Sequence, residues 1–390
     1  MNDSASTATF GRTASPRLLY VVTEDWYFLS HRLPMARAAR TAGFEVHVAT
    51  RVVDGADSIR SEGFVLHHVP FARGKISPLT TLCTIAALRR IERQIAPAVS
   101  HHVALQASIL GSLAAIGRPS ARINALTGFG HTFISNTPQT RVLRRLIGIL
   151  LRTLVNRPNT VALVQNPDDR EDLLAIGIDR DRITLIPGSG VDTDALRPQP
   201  EVAGPPTVAF VGRLLEDKGI RTLVDAHRLL RRSGSNVELL IAGTPDPANP
   251  ASVSTQEVEQ FDREPGITIL GHVNDISALW ARAHIAVLPS RREGLPKSLL
   301  EAAACGRPLV ATDVPGCREI VLPDETGLLV PVDDAPSLAS AIGKLASSPE
   351  LRVRYGAAAR RLVVDRFAAD KIGRETVELY RRLVSSRSPN

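Results

Sequence analysis

Twice along this 390-residue chain, short apolar runs of strand length alternate with segments of helical period, and a Gly/Pro-rich stretch separates the two series. The first series opens with Arg17-Leu18-Leu19-Tyr20-Val21-Val22-Thr23, passes through a helix expected over 31–42 and a stop at Gly43, and returns as a strand at 45–50. Further strands fit 64–69, 99–103, 122–126, 160–165 and 182–186. The second series restarts at Thr207-Val208-Ala209-Phe210-Val211-Gly212, followed by a helix over 220–232 and strands at 237–242, 268–270, 285–288, 308–312 and 328–330. Strands alternating with helices predict an α/β chain with two doubly wound parallel sheets, whose ligands sit beyond the strands' carboxyl ends.

The expected organisation is a flexible tail over 1–15, a first Rossmann-like domain over 16–190, a linker over 191–206, a second over 207–365 and a closing helix over 366–390. The last 40 residues are helical by pattern, with Leu351, Tyr355, Leu362, Val377, Tyr380 and Leu383 as core candidates, and the closing helix is expected to pack back on the first domain. Residues 246–256, rich in proline and serine, read as a mobile loop.

The net charge of +7 is unevenly spread. From Arg73 to Arg157 there are twelve Lys/Arg against Glu92 alone, so the remainder is mildly acidic and the basic region calls for an anionic partner. Cys83, Cys305 and Cys317 are an odd number without ligand-like spacing, so neither a disulfide framework nor a zinc site is indicated, and a reducing cytoplasm fits best. No apolar run reaches the roughly 18 residues of a spanning helix, and the polar start lacks a secretion signal's apolar core.

Two motifs carry chemistry. In Ser290-Arg291-Arg292-Glu293-Gly294-Leu295-Pro296-Lys297-Ser298-Leu299-Leu300-Glu301, Glu293 falls in a strand-to-helix loop and Glu301 more than one turn into the helix. Helix-start amides attract phosphate or bond an oxyanion, and carboxylates accept hydrogen bonds from sugar hydroxyls. The bland alternative is solvated helix surface. In Gly212-Arg213-Leu214-Leu215-Glu216-Asp217-Lys218-Gly219, Gly212 permits close backbone approach, Arg213 offers a planar fork and Lys218 a point charge to a diphosphate. Alone it would equally be a surface turn.

These motifs, with Gly271-His272-Val273-Asn274-Asp275 between them and Val314-Pro315-Gly316-Cys317-Arg318-Glu319 after them, resemble in order and spacing the retaining glycosyltransferases of family 4, or group 1. The resemblance is strong over 205–335 and leans toward the capsule, O-antigen and lipid-linked-oligosaccharide transferases. It implies the GT-B architecture, two facing Rossmann-like domains with the active site in the cleft between them, and no bound metal or cofactor. It assigns Arg213 and Lys218 to the donor diphosphate, Glu301 to the ribose hydroxyls, and Glu293 with the amides of Gly294 and Leu295 to the donor sugar. The loop at Val273 would face the base. The implied partners are a nucleotide sugar, a UDP-sugar first, and a lipid-linked saccharide acceptor. Asp192-Thr193-Asp194 could be a metal-binding Asp-x-Asp site, but in a Gly/Pro-rich stretch aspartates more often cap turns.

The first half departs from the family. Thr127 stands where relatives often have a histidine, before Gly128, Gly130 and His131, so His131 is equally a structural histidine and a site residue. Thr23-Glu24-Asp25-Trp26-Tyr27-Phe28-Leu29-Ser30-His31-Arg32 replaces a glycine-rich loop. There Trp26 and Tyr27 could stack on a sugar and Glu24 or Asp25 bond acceptor hydroxyls, or the stretch is a plain helix entrance capped by Ser30. Residues 141–157 carry Leu143, Leu146, Ile147, Leu150, Leu151 and Leu154 at helical intervals among Arg141, Arg144, Arg145, Arg152 and Arg157. Such a helix fits an anionic membrane surface or packs its apolar side into the core. Nucleic acid is disfavoured, since the basic region lacks interleaved aromatics and any binding motif.

The expected function is therefore transfer of a sugar to a lipid-linked saccharide, in the cytoplasm or at the inner face of the plasma membrane. The alternatives are a UDP-sugar epimerase of similar shape and a non-catalytic sugar-nucleotide binder.

Overall fold

The computed structural model describes residues 15–72, 77–126, 138–247 and 249–386. Seven parallel strands, β1 (Arg17–Glu24), β2 (Glu45–Arg51), β3 (Val65–His68), β4 (Val99–Val103), β5 (Ala121–Ala125), β6 (Thr160–Val164) and β7 (Ile183–Leu185), form the first sheet in the order β3-β2-β1-β4-β5-β6-β7. Six more, β8 (Thr207–Val211), β9 (Glu238–Ala242), β10 (Ile267–Gly271), β11 (Ile285–Leu288), β12 (Leu309–Thr312) and β13 (Gly327–Val330), form the second in the order β10-β9-β8-β11-β12-β13. In both, the order reverses beside the first strand, at β1/β4 and at β8/β11. That reversal opens a crevice at the carboxyl edge, where ligands of such sheets bind.

Alternating residues of β1 serve two cores, as strand geometry requires. Leu18, Tyr20 and Val22 face helices Leu33–Thr41 and Ala369–Ser385, while Leu19 and Val21 face helices Pro78–Ile95 and Ala104–Ala114. The closing helix thus docks on the first sheet through Ile372, Val377, Leu379, Tyr380 and Leu383, all buried. Each such side chain contributes about 1.5–3 kcal/mol before ordering costs, enough to hold the helix there.

Two expectations are corrected, over 31–42 and over 246–256. The helix expected over 31–42 is two helices, Asp25–His31 and Leu33–Thr41, broken at Arg32, so Ser30 lies inside a helix rather than capping one. Along the expected linker, Arg360 bonds the carbonyls of Thr193 and Leu196, Arg307 that of Gln199, and Arg352 pairs with Glu201 at 2.8 Å. The stretch expected to be mobile at 246–256 is tied to the 214–216 turn by Val253 N to Leu214 O and Glu216 N to Ala251 O, and helix Thr255–Asp262 begins within it.

Candidate functional site

The carboxyl ends of β8 and β11 bring the two motifs into contact. Gly219 (φ +70°) turns the chain from Lys218 into helix Ile220–Arg232 so close to the other motif that a Cβ there would lie 2.0 Å from the Pro289 carbonyl oxygen. Arg291 N donates to Asp217 O at 2.8 Å. Any larger residue at 219 would force the two segments apart.

Lys218 Nζ reaches Glu293 Oε1 at 2.5 Å, and Ser290 Oγ donates to the same oxygen at 2.7 Å. Four residues into helix Lys297–Ala304, Glu301 is buried, and burial pushes its carboxyl above the usual range against the pull of Lys297 Nζ, 3.1 Å from Oε1. Two ammonium groups and two carboxylates therefore stand at one strand edge. Arg213 is turned away: its Nη1 lies 3.2 Å from Asp246 Oδ2, and its side chain is half exposed.

Val273 follows β10 and packs partly buried on the second core, and Asp275 caps the next helix by accepting from Ala278 N at 3.0 Å. Asp192 Oδ1 accepts from Asp194 N at 3.0 Å and Ala195 N at 2.9 Å, a turn cap. Among the described residues no three His, Cys, Asp or Glu side chains are grouped to hold a metal.

From the first half, helix Asp25–His31 follows β1 at the carboxyl edge of its sheet. Trp26 is 41% exposed and meets Tyr27 edge-on, and Tyr27 stacks on His31 with centroids 4.3 Å apart and planes within 6°. His31 shares a 2.6 Å hydrogen bond with Ser30 Oγ. Burial, then the positive charges of Lys297, Arg32 and Lys218, hold its pKa down to about 3, so it is neutral and belongs to the same electrostatic site as the lysines of the second half. His31 was not singled out in the sequence. The signal was the four-residue spacing from Tyr27, hidden by placing the helix start six residues late.

Glu24 and Asp25 are buried and hold partners within the first half. Glu24 Oε2 pairs with Arg51 Nη2 at 2.6 Å, and Asp25 Oδ2 accepts from Val53 N at 2.6 Å and Gly55 N at 2.8 Å. Thr127, Gly128, Gly130 and His131 lie outside the described residues.

The halves also touch. Asn166 Nδ2 donates to Gly294 O at 2.7 Å, and Arg292 Nη2 lies 3.5 Å from Asp169 Oδ1. Burial raises the Asp169 pKa to about 6, against the pull of Arg292.

Residues 205–348 match the family described as Glycosyl transferases group 1, and residues 17–164 the family described as Glycosyl transferase 4-like. The chain's second half is thus a group 1 glycosyltransferase domain and its first half a glycosyltransferase 4-like one. Over 383 residues this glycosyltransferase is 24% identical to the N,N'-diacetylbacillosaminyl-diphospho-undecaprenol alpha-1,3-N-acetylgalactosaminyltransferase of Campylobacter jejuni, covering 92% of this chain and 99% of that one. It is 30% identical over 173 residues to the capsular polysaccharide biosynthesis glycosyltransferase CapM of Staphylococcus aureus, a match spanning 44% of this chain and less than half, 45%, of that relative. Anabaena HepE, solved in complex with UDP and glucose, shares the fold with a TM-score of 0.78 at 17% identity, over 93% of this chain and 99% of that one.

Proposed function

We propose that the protein moves a sugar, with retention, from a nucleoside diphosphate donor, a UDP-sugar, to a hydroxyl of a lipid-linked saccharide in cell-surface polysaccharide synthesis. The observation that carries this reading is the Lys218–Glu293 contact, which joins two motifs 75 residues apart at the β8/β11 switch point. In this reading Arg213 and Lys218 meet the diphosphate, Glu301 the ribose hydroxyls, Glu293 with the amides of Gly294 and Leu295 the sugar, and the Val273 loop the base. Trp26, Tyr27 and His31 face the acceptor. The acceptor hydroxyl bonds to the anomeric carbon on the face the phosphate leaves. The carbon–oxygen bond to phosphate breaks with its electron pair, and the departing oxygen takes the hydroxyl proton. Charge gathers on the leaving group, so cations fixed beforehand stabilise the transition state more than the ground state.

The donor reading is supported by the UDP and glucose held by HepE, and the acceptor reading by the diphospho-undecaprenol in the Campylobacter relative's name. A peripheral place on the inner membrane face follows from such an acceptor, and no helix among the described residues is long and apolar enough to cross a membrane. The test is a screen of nucleotide sugars for donor hydrolysis and for transfer to undecaprenyl-diphosphate saccharides, with products resolved by mass. Turnover of a UDP-sugar with product of retained configuration is expected. Binding without turnover of any donor would favour the binder, and conversion of one free UDP-sugar into its epimer the epimerase.

A further inference from the structure

Asn166, at the end of β6 in the first half, is fully buried and makes three contacts. Its Oδ1 accepts from Asp169 N at 2.7 Å, capping helix Pro167–Ala175, while Nδ2 donates to Asp169 Oδ2 at 2.9 Å and to Gly294 O at 2.7 Å. The backbone donor on one side and the backbone acceptor on the other leave only one orientation for the side-chain amide. On its far side the same loop is held by the second half. Gly316 N donates to Glu293 O at 3.2 Å, and a Cβ at Gly316 would lie 2.5 Å from Gly294 O.

A trans peptide is planar, with its carbonyl and the following N–H pointing in opposite directions. Fixing the Glu293 carbonyl therefore fixes the Gly294 amide, and fixing the Gly294 carbonyl fixes the Leu295 amide. Among the described residues neither amide donates to a backbone carbonyl, so both remain available to a ligand. Gly316 sets the first from within the second half. Among the described residues the Gly294 carbonyl accepts one hydrogen bond, from Asn166, which reaches it from the first half, 128 residues away in sequence.

We propose that Asn166 is a positioning residue for the transfer reaction: through the Gly294 carbonyl it aims the Leu295 amide at the donor sugar, and only while the two halves are together. Its catalytic consequence rests on the glycosyltransferase reading above. The donor loop then takes its working geometry when the first half, with its acceptor, is in place, which suppresses turnover of the donor by water in the open state.

Asn166→Ser separates the two duties of this side chain, because serine is a good helix cap but is too short to reach Gly294. The expected result is at least a tenfold fall in kcat for transfer, with UDP affinity within twofold and melting temperature within 2 °C of the parent protein. Asn166→Gln, which restores a donor amide, should recover part of kcat. Without any ligand, amide hydrogen exchange measured by mass spectrometry should speed up over 293–297 in Asn166→Ser. Unchanged kcat together with unchanged exchange would overturn the proposal. If no nucleotide sugar is turned over by the parent protein, it is the glycosyltransferase reading that fails, and the exchange comparison still decides whether Asn166 holds the loop.

Discussion

Lys218 Nζ and Glu293 Oε1 lie 2.5 Å apart, with the lysine about one-quarter exposed and the carboxylate nearly buried. Glu293→Gln keeps the shape and the Ser290 contact but removes the charge, and transfer should fall at least a hundredfold in kcat/KM with the melting temperature little changed. Lys218→Ala leaves the carboxylate with the Ser290 hydroxyl alone. Stranding a charge in this way costs about 1–3 kcal/mol, so this variant should melt earlier as well as lose transfer. Assays and melts of both variants check the pair, and transfer at the parent rate by Glu293→Gln would remove Glu293 from the donor site.

Much of the fold was legible because strands buried on both faces read as unbroken apolar runs. Strand β11 and the helix Ile220–Arg232 have the bounds the sequence predicts. The first helix was misplaced for a physical reason: its cap residue Glu24 makes no side-chain cap bond, and Asp25 divides its carboxylate between Val53 and Gly55 outside the helix and Trp26 N within it. The site was legible motif by motif, since 212–219 and 289–301 each carry local turn and charge signals. Their contact depends on β8 lying beside β11, and the bond from Asn166 to Gly294 on two halves meeting. Neither has a local signature.

His102 predicts acid sensitivity with a definite sign. Asn124 Oδ1 already accepts from Ser112 Oγ at 3.0 Å, so it also accepts from His102 Nδ1–H at 2.9 Å. His102 Nε2 is buried against Gly111 with no partner, and a proton there would find no acceptor. Burial accordingly holds the pKa to about 4, below the 6.5 of a free histidine. Between those values the unfolded chain binds the extra proton, so stability is fully present above pH 6.5 and is lost as pH falls toward 4. The span corresponds to about 3 kcal/mol. His102→Gln keeps a donor for Asn124 and does not titrate, so the loss of urea midpoint between pH 7.5 and 4.5 should shrink. It should not vanish, because burial lowers the pKa of His101 and His31 too. An identical loss in both proteins would dismiss the role of His102.

Tyr380 ties the closing helix to the first sheet through a buried polar line. Its hydroxyl lies 2.7 Å from Tyr20 Oη and 2.7 Å from His101 Nδ1. Tyr380→Phe keeps the ring against Phe44 but strands two buried polar groups, at a cost of about 1–3 kcal/mol. The variant should melt several degrees lower and be cut faster by trypsin within the closing helix, whose Ala369 N donates to Val191 O at 2.9 Å. A melting temperature within 1 °C of the parent would show that the hydroxyl contributes nothing.

The helix Pro138–Val155 divides its apolar residues between two environments. Leu151, Leu154 and Val155 are buried in the first half, whereas Leu146 is 59% and Ile149 61% exposed, beside exposed Val142, Leu143, Arg145 and Arg152. On the same side of the sheet, Leu79 and Leu82 of helix Pro78–Ile95 are 72% and 64% exposed. Both helices follow strands of a parallel sheet, β3 and β5, so both begin at the carboxyl edge, beside the cleft. The exposed leucines and isoleucine beside Arg145 and Arg152 on helix Pro138–Val155 suit insertion among anionic headgroups, where each cation near the surface adds about 1 kcal/mol. Replacing Leu143, Leu146 and Ile149 together by serine should cut sedimentation with phosphatidylglycerol vesicles at least tenfold while leaving the melting temperature within 2 °C. Arg145→Gln with Arg152→Gln should weaken binding at low salt and matter less as salt screens the surface. Equal sedimentation of the parent and both variants would remove this helix from membrane binding.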